Sequence, residues 1–473
     1  MKHNRCFFAI SYVFVVVFSM LMLSSCSLFG GKTSIKDADD LYDAFKNSKK
    51  TGLNISIEQD ITIDSTDTYF RAGDRSATKA KINGNGHTIT VEGTADGKLG
   101  DKTTLLFDEF KEVEISNLNI VYNLTIALSS KSGNLYVGGL VGSASDSTIS
   151  NCETIFNYVL DLDFKTDSYG FHDYAFGGIV GYSNNSIIEN CKSTYKVDYT
   201  GCYLGGVVGY AKSSTIKNSD ADTTITTSDL EEAYIGGIVG ELDDSTLSES
   251  YSRVRKFEMN GRPQDWRNRT AYGGLFVGGA VGNSIVKNCY IDRDDDMDVE
   301  SENNGLFITT MKCGWIAGLA EENSEFKNLY INGYGTGDHA ISTYDFGGNI
   351  KLTTPDDQGG FYVLASSFIS KCSTLNIKNV YYVYGTDRDS GYDETLSFFP
   401  YGYGPDAYLI DNGIVNDSYV PVDYFKFVND YENVKFAFDE LGEKNPWIVG
   451  SADEEFIAGR PILDKTLVSK WYN

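Results

Sequence analysis

The densest acidic run of the chain is Asp292-Arg293-Asp294-Asp295-Asp296-Met297-Asp298. Oxygen-rich loops suit hard cations such as calcium, so Asp292, Asp294, Asp295, Asp296 and Asp298 are the metal-ligand candidates. The run lacks the central Gly and distal Glu of an EF-hand loop, and it also reads as a solvated turn after the strand Cys289-Tyr290-Ile291. Upstream, Arg253, Arg255, Lys256, Arg262, Arg267 and Arg269 cluster beside Trp266 and Tyr272, a composition that suits a protruding binding loop. His87, His172 and His339 stand far apart, and none lies in an HExxH or metal-spaced arrangement. No GxSxG, phosphate-binding loop or GxGxxG after a strand occurs. The sequence therefore assigns no catalytic residue and no cofactor beyond that calcium candidate. It does offer contact chemistry: Tyr381, Tyr382, Tyr384, Phe398, Phe399, Tyr401, Tyr403 and Tyr408 form an aromatic stretch, and rings give large contact area with little side-chain entropy to lose.

The elements that carry these groups follow from composition. The 473 residues hold 66 acidic against 40 basic side chains, a formal net charge of -26. Such a surface repels nucleic acid, anionic membranes and uronic-acid polymers, so no nucleic-acid partner is expected. With 48 Gly, 7 Pro and 32 Tyr, the chain favours β structure with tight turns over helical bundles.

The start of the chain reads as an export signal, with Met1-Lys2-His3-Asn4-Arg5 preceding an apolar run from Cys6 to Leu23. Leu23-Ser24-Ser25-Cys26 resembles the bacterial lipobox, which makes Cys26 the expected lipidation site and residues 1–25 the signal peptide. Two or more acyl chains suffice for stable anchoring, so the expected membrane contact is the N-terminal lipid. Ser27 is not the Asp that retains some lipoproteins at the inner membrane, which leaves surface display open. Residues 26–36 form the lipidated Cys and a linker. Cys152, Cys191, Cys202, Cys289, Cys313 and Cys372 are too sparse for a disulfide framework and read as single buried thiols.

From Asp37 the pattern predicts one amphipathic helix, with Leu41, Ala44 and Phe45 on one face, acidic residues at its start and Lys49 and Lys50 at its end. The period then changes to 2, and strand segments follow at Leu53–Ile57, Ile61–Ile63 and either side of an Asn/Gly turn at 83–86. Repeats decide the architecture. A block of apolar-Gly-Gly-apolar-Val-Gly recurs with its second glycine at Gly139, Gly178, Gly206, Gly237 and Gly279, giving periods of 39, 28, 31 and 42 residues. Each block precedes Ser-x-apolar-x-Asn or a variant ending at Asn151, Asn190, Asn218, Glu249, Asn288 and Asn328. Variable spacing around constant strand blocks is what a β-solenoid tolerates, since excess residues leave each coil as loops. The Asn residues suit a left-handed bend with hydrogen bonds to their copies one coil away, and the glycines suit a sharp corner or close backbone approach. Ile149, Ile188, Ile216, Leu247, Val286 and Phe326 should stack as one internal apolar ladder.

These blocks resemble the GLUG motif of bacterial surface lipoproteins, within the pectin-lyase-like group. Trp447-Ile448 and Gly459-Arg460-Pro461-Ile462-Leu463 are similar to the segment that closes such arrays. The resemblance implies an all-β, right-handed parallel β-helix with a short N-terminal capping helix and a loop-rich C-terminal cap. The expected division is a β-helix over 37–335, with GLUG-like repeats at about 135–330, and irregular final coils and cap over 336–473. It also implies an exported, lipid-anchored protein at a bacterial surface, acting as an adhesin-like binding module for a glycan or extracellular protein rather than as an enzyme. The alternative on the same scaffold is a calcium-dependent polysaccharide lyase or hydrolase, drawing on the Asp292–Asp298 run and the Arg cluster.

Overall fold

Strands of period 2 need partners, and in this chain the partner of each strand lies one coil away. The computed structural model describes residues 32–46, 50–65, 75–93, 105–130, 135–164, 174–228, 230, 232–258, 270–293, 310–314, 316–321 and 323–332. It also describes strands at 363–366, 369–372, 376–384, 419–423, 447–449 and 461–463. Among these residues, strands gather into three large sheets of 20, 10 and 7 members, and every pairing within them is parallel. The protein is a parallel β-helix. A complete coil runs through the seven-stranded sheet, the ten-stranded sheet and then two wings of the twenty-stranded sheet. One example is Leu135–Gly138, Val141–Ser145, Thr148–Ser150 and Glu153–Phe164. With strands ~4.8 Å apart, ten coils extend roughly 45 Å.

The Asn/Gly turn at 83–86 shows why local turn chemistry misleads here. Asn-Gly between two strands is a hairpin signal, yet Lys81–Asn83 and Thr88–Glu92 pair with neighbouring coils and not with each other. Asn85 (φ 52°) and Gly86 (φ 81°) instead turn a corner within one coil.

The predicted apolar ladder exists in register: Ile149 pairs with Ile188, Ile188 with Ile216, Ile216 with Leu247, Leu247 with Val286 and Val286 with Phe326. It continues back through Ile115 and Ile82 to Ile55. All are at most 1% exposed, and each contributes about 1.5–3 kcal/mol relative to an exposed copy. The segment around Ile377 is a further coil, with Phe326 opposite Ile377.

The helix is shorter than predicted. It spans Ala38–Phe45, with Asp37 as N-cap accepting from the Asp40 amide at 2.8 Å. Its last turn holds no basic residue, and Lys50 already begins the strand Lys50–Thr51, so the expected cationic C-terminus is absent. Its buried Leu41, Ala44 and Phe45 face the first coils, and the Phe45 ring lies 5.2 Å from that of Phe107.

Most length variation falls at one corner; elsewhere the spacing differs by one or two residues, as from Val281 to Ile285 against Asp243 to Thr246 and from Asn83 to Thr88 against Ser116 to Asn119. The longer excesses fall between the end of the twenty-stranded sheet and the start of the seven-stranded one. They lie between Phe164 and Tyr174, Glu258 and Thr270, Arg293 and Thr310, and Asn332 and Val363. The cap region from 336 lies mostly outside the described residues. Within it, Trp447–Val449 and Pro461–Leu463 pair antiparallel, and the latter strand runs within 8 Å of Ile285–Arg293 between Cα atoms.

Candidate functional site

The sequence-selected Asn residues sit where the two wings of the long sheet meet. Asn117, Asn151, Asn190, Asn218, Glu249, Asn288 and Asn328 all have φ between 48° and 56°, the left-handed region that Asn tolerates best after Gly. Amide side chains bridge successive coils, from Asn117 to Asn83, Asn151 to Asn117, Asn218 to Asn190 and Asn328 to Asn288, over 2.5 to 3.3 Å. A second row of left-handed residues went unrecognised in the sequence: Glu112, Asp146, Asn185, Ser213 and Asp244 turn the corner before each Ser-x-apolar-x-Asn segment. The serines after them are buried, and each hydroxyl accepts from the backbone of the previous coil. Val113 thus donates to Ser147, Ser147 to Ser186, Ser186 to Ser214, Ser214 to Ser245 and Ser245 to Ser284, at 2.9 to 3.2 Å.

The paired glycines form the third corner, through close approach and not through unusual dihedrals. A Cβ on Gly139, Gly178 or Gly206 would run into the carbonyl oxygen of Gly178, Gly206 or Gly237 respectively. Gly279 does not belong to this row. Register pairs Gly236 with Gly274, Val239 with Val277 and Glu241 with Gly279, so the fifth block is Gly273-Gly274-Leu275-Phe276-Val277-Gly278, and Leu275 takes the second-glycine place. Two Gly-Gly pairs stand five residues apart here, and only the neighbouring coil's register chooses between them.

These corners hold the outward positions of the two smaller sheets side by side. On the seven-stranded sheet the column is Tyr136, Ala175, Tyr203, Tyr234, Tyr272; on the ten-stranded sheet it is Ser143, Tyr182, Tyr210, Glu241, Gly279. Each residue follows its coil-mate by the same seven positions, and bulky and small groups alternate across the corner. Rings stack continuously: Tyr136–Tyr182 at 4.8 Å, Tyr182–Tyr210 at 5.4 Å, Tyr210–Tyr203 at 4.8 Å, Tyr203–Tyr234 at 5.5 Å and Tyr234–Tyr272 at 5.2 Å. Gly279 makes room for the Tyr234 ring, because a Cβ there would strike that ring's edge carbons. Tyr136, Tyr182, Tyr203, Tyr210 and Tyr234 remain partly exposed. The Tyr210 hydroxyl donates to Asp243 Oδ2 at 3.1 Å, and Lys212 Nζ lies 3.2 Å from the same carboxylate. Burial, then the nearby Glu241 charge, push the Tyr210 and Tyr234 phenols far above their ordinary range, so both stay neutral donors.

Sequence reasoning placed the aromatic contact face farther along, at Tyr381–Tyr408, which falls mostly outside the described residues. The signal for the column was present: Tyr136, Tyr203 and Tyr234 each stand two residues before the first glycine of a pair, Tyr272 directly before one, and Tyr182 and Tyr210 directly follow the third.

The remaining candidates are dispersed. Arg255 is engaged, its Nε and Nη2 clamping the buried Asp222 carboxylate at 2.6 and 2.7 Å. Arg253 and Lys256 share its strand, Tyr251–Glu258, while Arg262, Arg267 and Arg269 lie outside the described residues. Asp292 ends the strand Ile285–Arg293 opposite Arg253, and Asp294, Asp295, Asp296 and Asp298 also lie outside them. Among the described residues no group of three or more His, Cys, Asp or Glu is placed to hold a metal ion. His87 lies at the surface, its Nδ1 3.2 Å from Asp60; His172 and His339 are not described. Cys152, Cys191, Cys202 and Cys289 form no disulfide, and Cys152, Cys191 and Cys289 are buried. Burial pushes the Cys191 thiol upward. Cys26 precedes the described residues, among which no helix is long and apolar enough to cross a membrane.

No curated protein matches the chain. A solved structure titled "putative immunoglobulin A1 protease from Bacteroides ovatus" aligns over 91% of both chains at 14% identity with a TM-score of 0.29. The family model that matches begins at the first strand and ends at the corner after Thr215–Lys217, so it takes in Tyr136, Tyr182, Tyr203 and Tyr210. Over residues 32–219 the chain is similar to the family described as "Putative pectate lyase-like adhesive domain".

Proposed function

We propose that the chain is exported, acylated at Cys26 and held by lipid at a bacterial surface, where its β-helix acts as an adhesin-like binding module for a glycan or protein. The contact face in this reading is the tyrosine column. The observation that carries it is the column itself: six tyrosines stacked without a break over five coils, on the outside of a scaffold whose other corners are closed by internal hydrogen bonds. The match to an adhesive-domain family supports the same reading. Two tests apply. A Cys26→Ala chain should lose metabolic labelling by a fatty acid and shift from the membrane to the soluble fraction; unchanged labelling removes the anchor. Cells displaying the full chain should bind a surface array of glycans and host proteins, and Tyr203→Ala with Tyr234→Ala should abolish that binding while the display level holds. Binding that survives both substitutions moves the contact face elsewhere.

A further inference from the structure

The column's geometry narrows what it can hold. Neighbouring rings are nearly parallel along most of the stack, with interplanar angles of 22° at Tyr136–Tyr182, 12° at Tyr203–Tyr210, 11° at Tyr203–Tyr234 and 21° at Tyr234–Tyr272. Ring faces therefore meet each other, and the column turns ring edges and phenol oxygens outward. Only the Tyr182–Tyr210 step is tilted, at 47°, so along the rest of the stack a sugar laid flat on a ring, the common aromatic mode, has no full face to use. Recognition falls to hydrogen bonds and edge contacts repeated once per coil.

That repeat selects a polymer. Coils recur every ~4.8 Å, close to the length of one sugar unit in an extended β-linked glycan, whereas an extended peptide turns a side chain to the same face only every ~6.6 Å and is out of step at the first rung. Charge selects further. Glu241, only 8% exposed, occupies one rung of the column, Asp243 against Tyr210 is offset by Lys212, and the whole chain carries a net charge of -26. That net charge repels phosphates and uronates, while neutral hydroxyls can exchange hydrogen bonds with the phenols.

We infer that the tyrosine column binds a linear, uncharged, β-linked polysaccharide laid parallel to the solenoid axis, one sugar per coil, held by the phenol oxygens. This inference rests on the column being the contact face, as proposed above, and adds the ligand class and its direction.

The test uses the full chain in detergent, titrated calorimetrically with cello-, xylo- and chito-oligosaccharides of increasing length. Oligogalacturonate and an extended neutral peptide serve as comparison probes. Affinity should climb with each added sugar and level off once the oligomer spans the five coils of the column. Tyr210→Phe with Tyr234→Phe keeps the rings and removes two hydroxyls, and with them the Tyr210–Asp243 hydrogen bond; it should weaken binding at least tenfold while circular dichroism shows the fold retained. Oligogalacturonate or peptide binding that the Phe pair abolishes would keep the column as contact face and overturn this ligand assignment. Oligosaccharide binding indifferent to the Phe pair would overturn both, and absence of binding to every neutral oligosaccharide overturns the assignment outright.

Discussion

Two corners of the same coil solve the same problem by opposite means. At the glycine corner the chain turns because side chains are missing, and carbonyl oxygens of the next coil occupy the space a Cβ would need. At the asparagine corner it turns because a side chain is present, tolerating the left-handed dihedral and tying each coil to the next. The first corner is limited by sterics and admits little change. The second is held by modest hydrogen bonds, and it survives Glu249 in place of Asn. Stacking precision thus comes from the glycines, and cohesion between coils is spread over rows of polar groups.

The largest effect expected from this contrast is at Gly206. A methyl there meets the Gly237 carbonyl oxygen on one side and the Ala221 side chain on the other, so neither neighbour can yield cheaply. Gly206→Ala should cost ~3 kcal/mol or more, the upper end of overpacking penalties, read as a fall in the urea midpoint. A loss below ~1 kcal/mol would show that the corner can relax and would erase the contrast. Asn190→Ala should cost about 1–2 kcal/mol, combining the αL penalty with the orphaned amide of Asn218. Glu249→Asn should act in the opposite direction. It completes the amide row between Asn218 and Asn288, although it removes the exposed Glu249–Lys217 pair at 3.5 Å, and it should raise stability by about 0.5–1 kcal/mol.

The smallest effect concerns the corner turned by Asp244 and its copies. The Asp244 carboxylate accepts from the backbone amide and side chain of Asn283, both at 3.0 Å, and the backbone bond holds its pKa below the ordinary carboxylate range. A depressed folded-state pKa stabilises above the unfolded value, about 3.9, and that stability is lost as pH falls through the folded value. Protection of the Asn283 amide, measured against its intrinsic exchange rate, should therefore fall below about pH 4 and lose this pH dependence in Asp244→Asn. A pH profile identical in both chains would remove Asp244 from the corner's support.

Much of the scaffold was legible because stacking repeats the same requirement in every coil. Ile149 and its copies announced the internal ladder, and Asn151 and its copies announced the left-handed bend, since few residue types satisfy either place. Legibility failed where one coil offered two equally good choices. Gly273-Gly274 and Gly278-Gly279 are both plausible corners in isolation, and the register with Ile235-Gly236 settles the matter through contacts no local pattern contains. The tyrosine column was missed for a related reason. Its members are divided between two sheets: Ala175 interrupts the otherwise aromatic column of one, the other holds only Tyr182 and Tyr210, and the continuity appears only when the two are laid side by side. The helix end was misjudged because Lys49 and Lys50 suit a helical C-terminus electrostatically, yet Lys50 pairs with Ala77 in a strand.

The concentration of extra residues at one corner gives the coil a division between what is copied and what is free. Three corners carry matched rows and change by only one or two residues between coils, as at Gly282-Asn283. The fourth has absorbed eleven residues between Glu258 and Thr270 and more between Asn332 and Val363, with the register on either side preserved. That seam borders the sheet bearing Tyr136, Tyr203, Tyr234 and Tyr272. Foreign segments grafted there, an epitope or a short peptide tag, should be carried by the rod as passengers, displayed beside the tyrosine face without entering the stack.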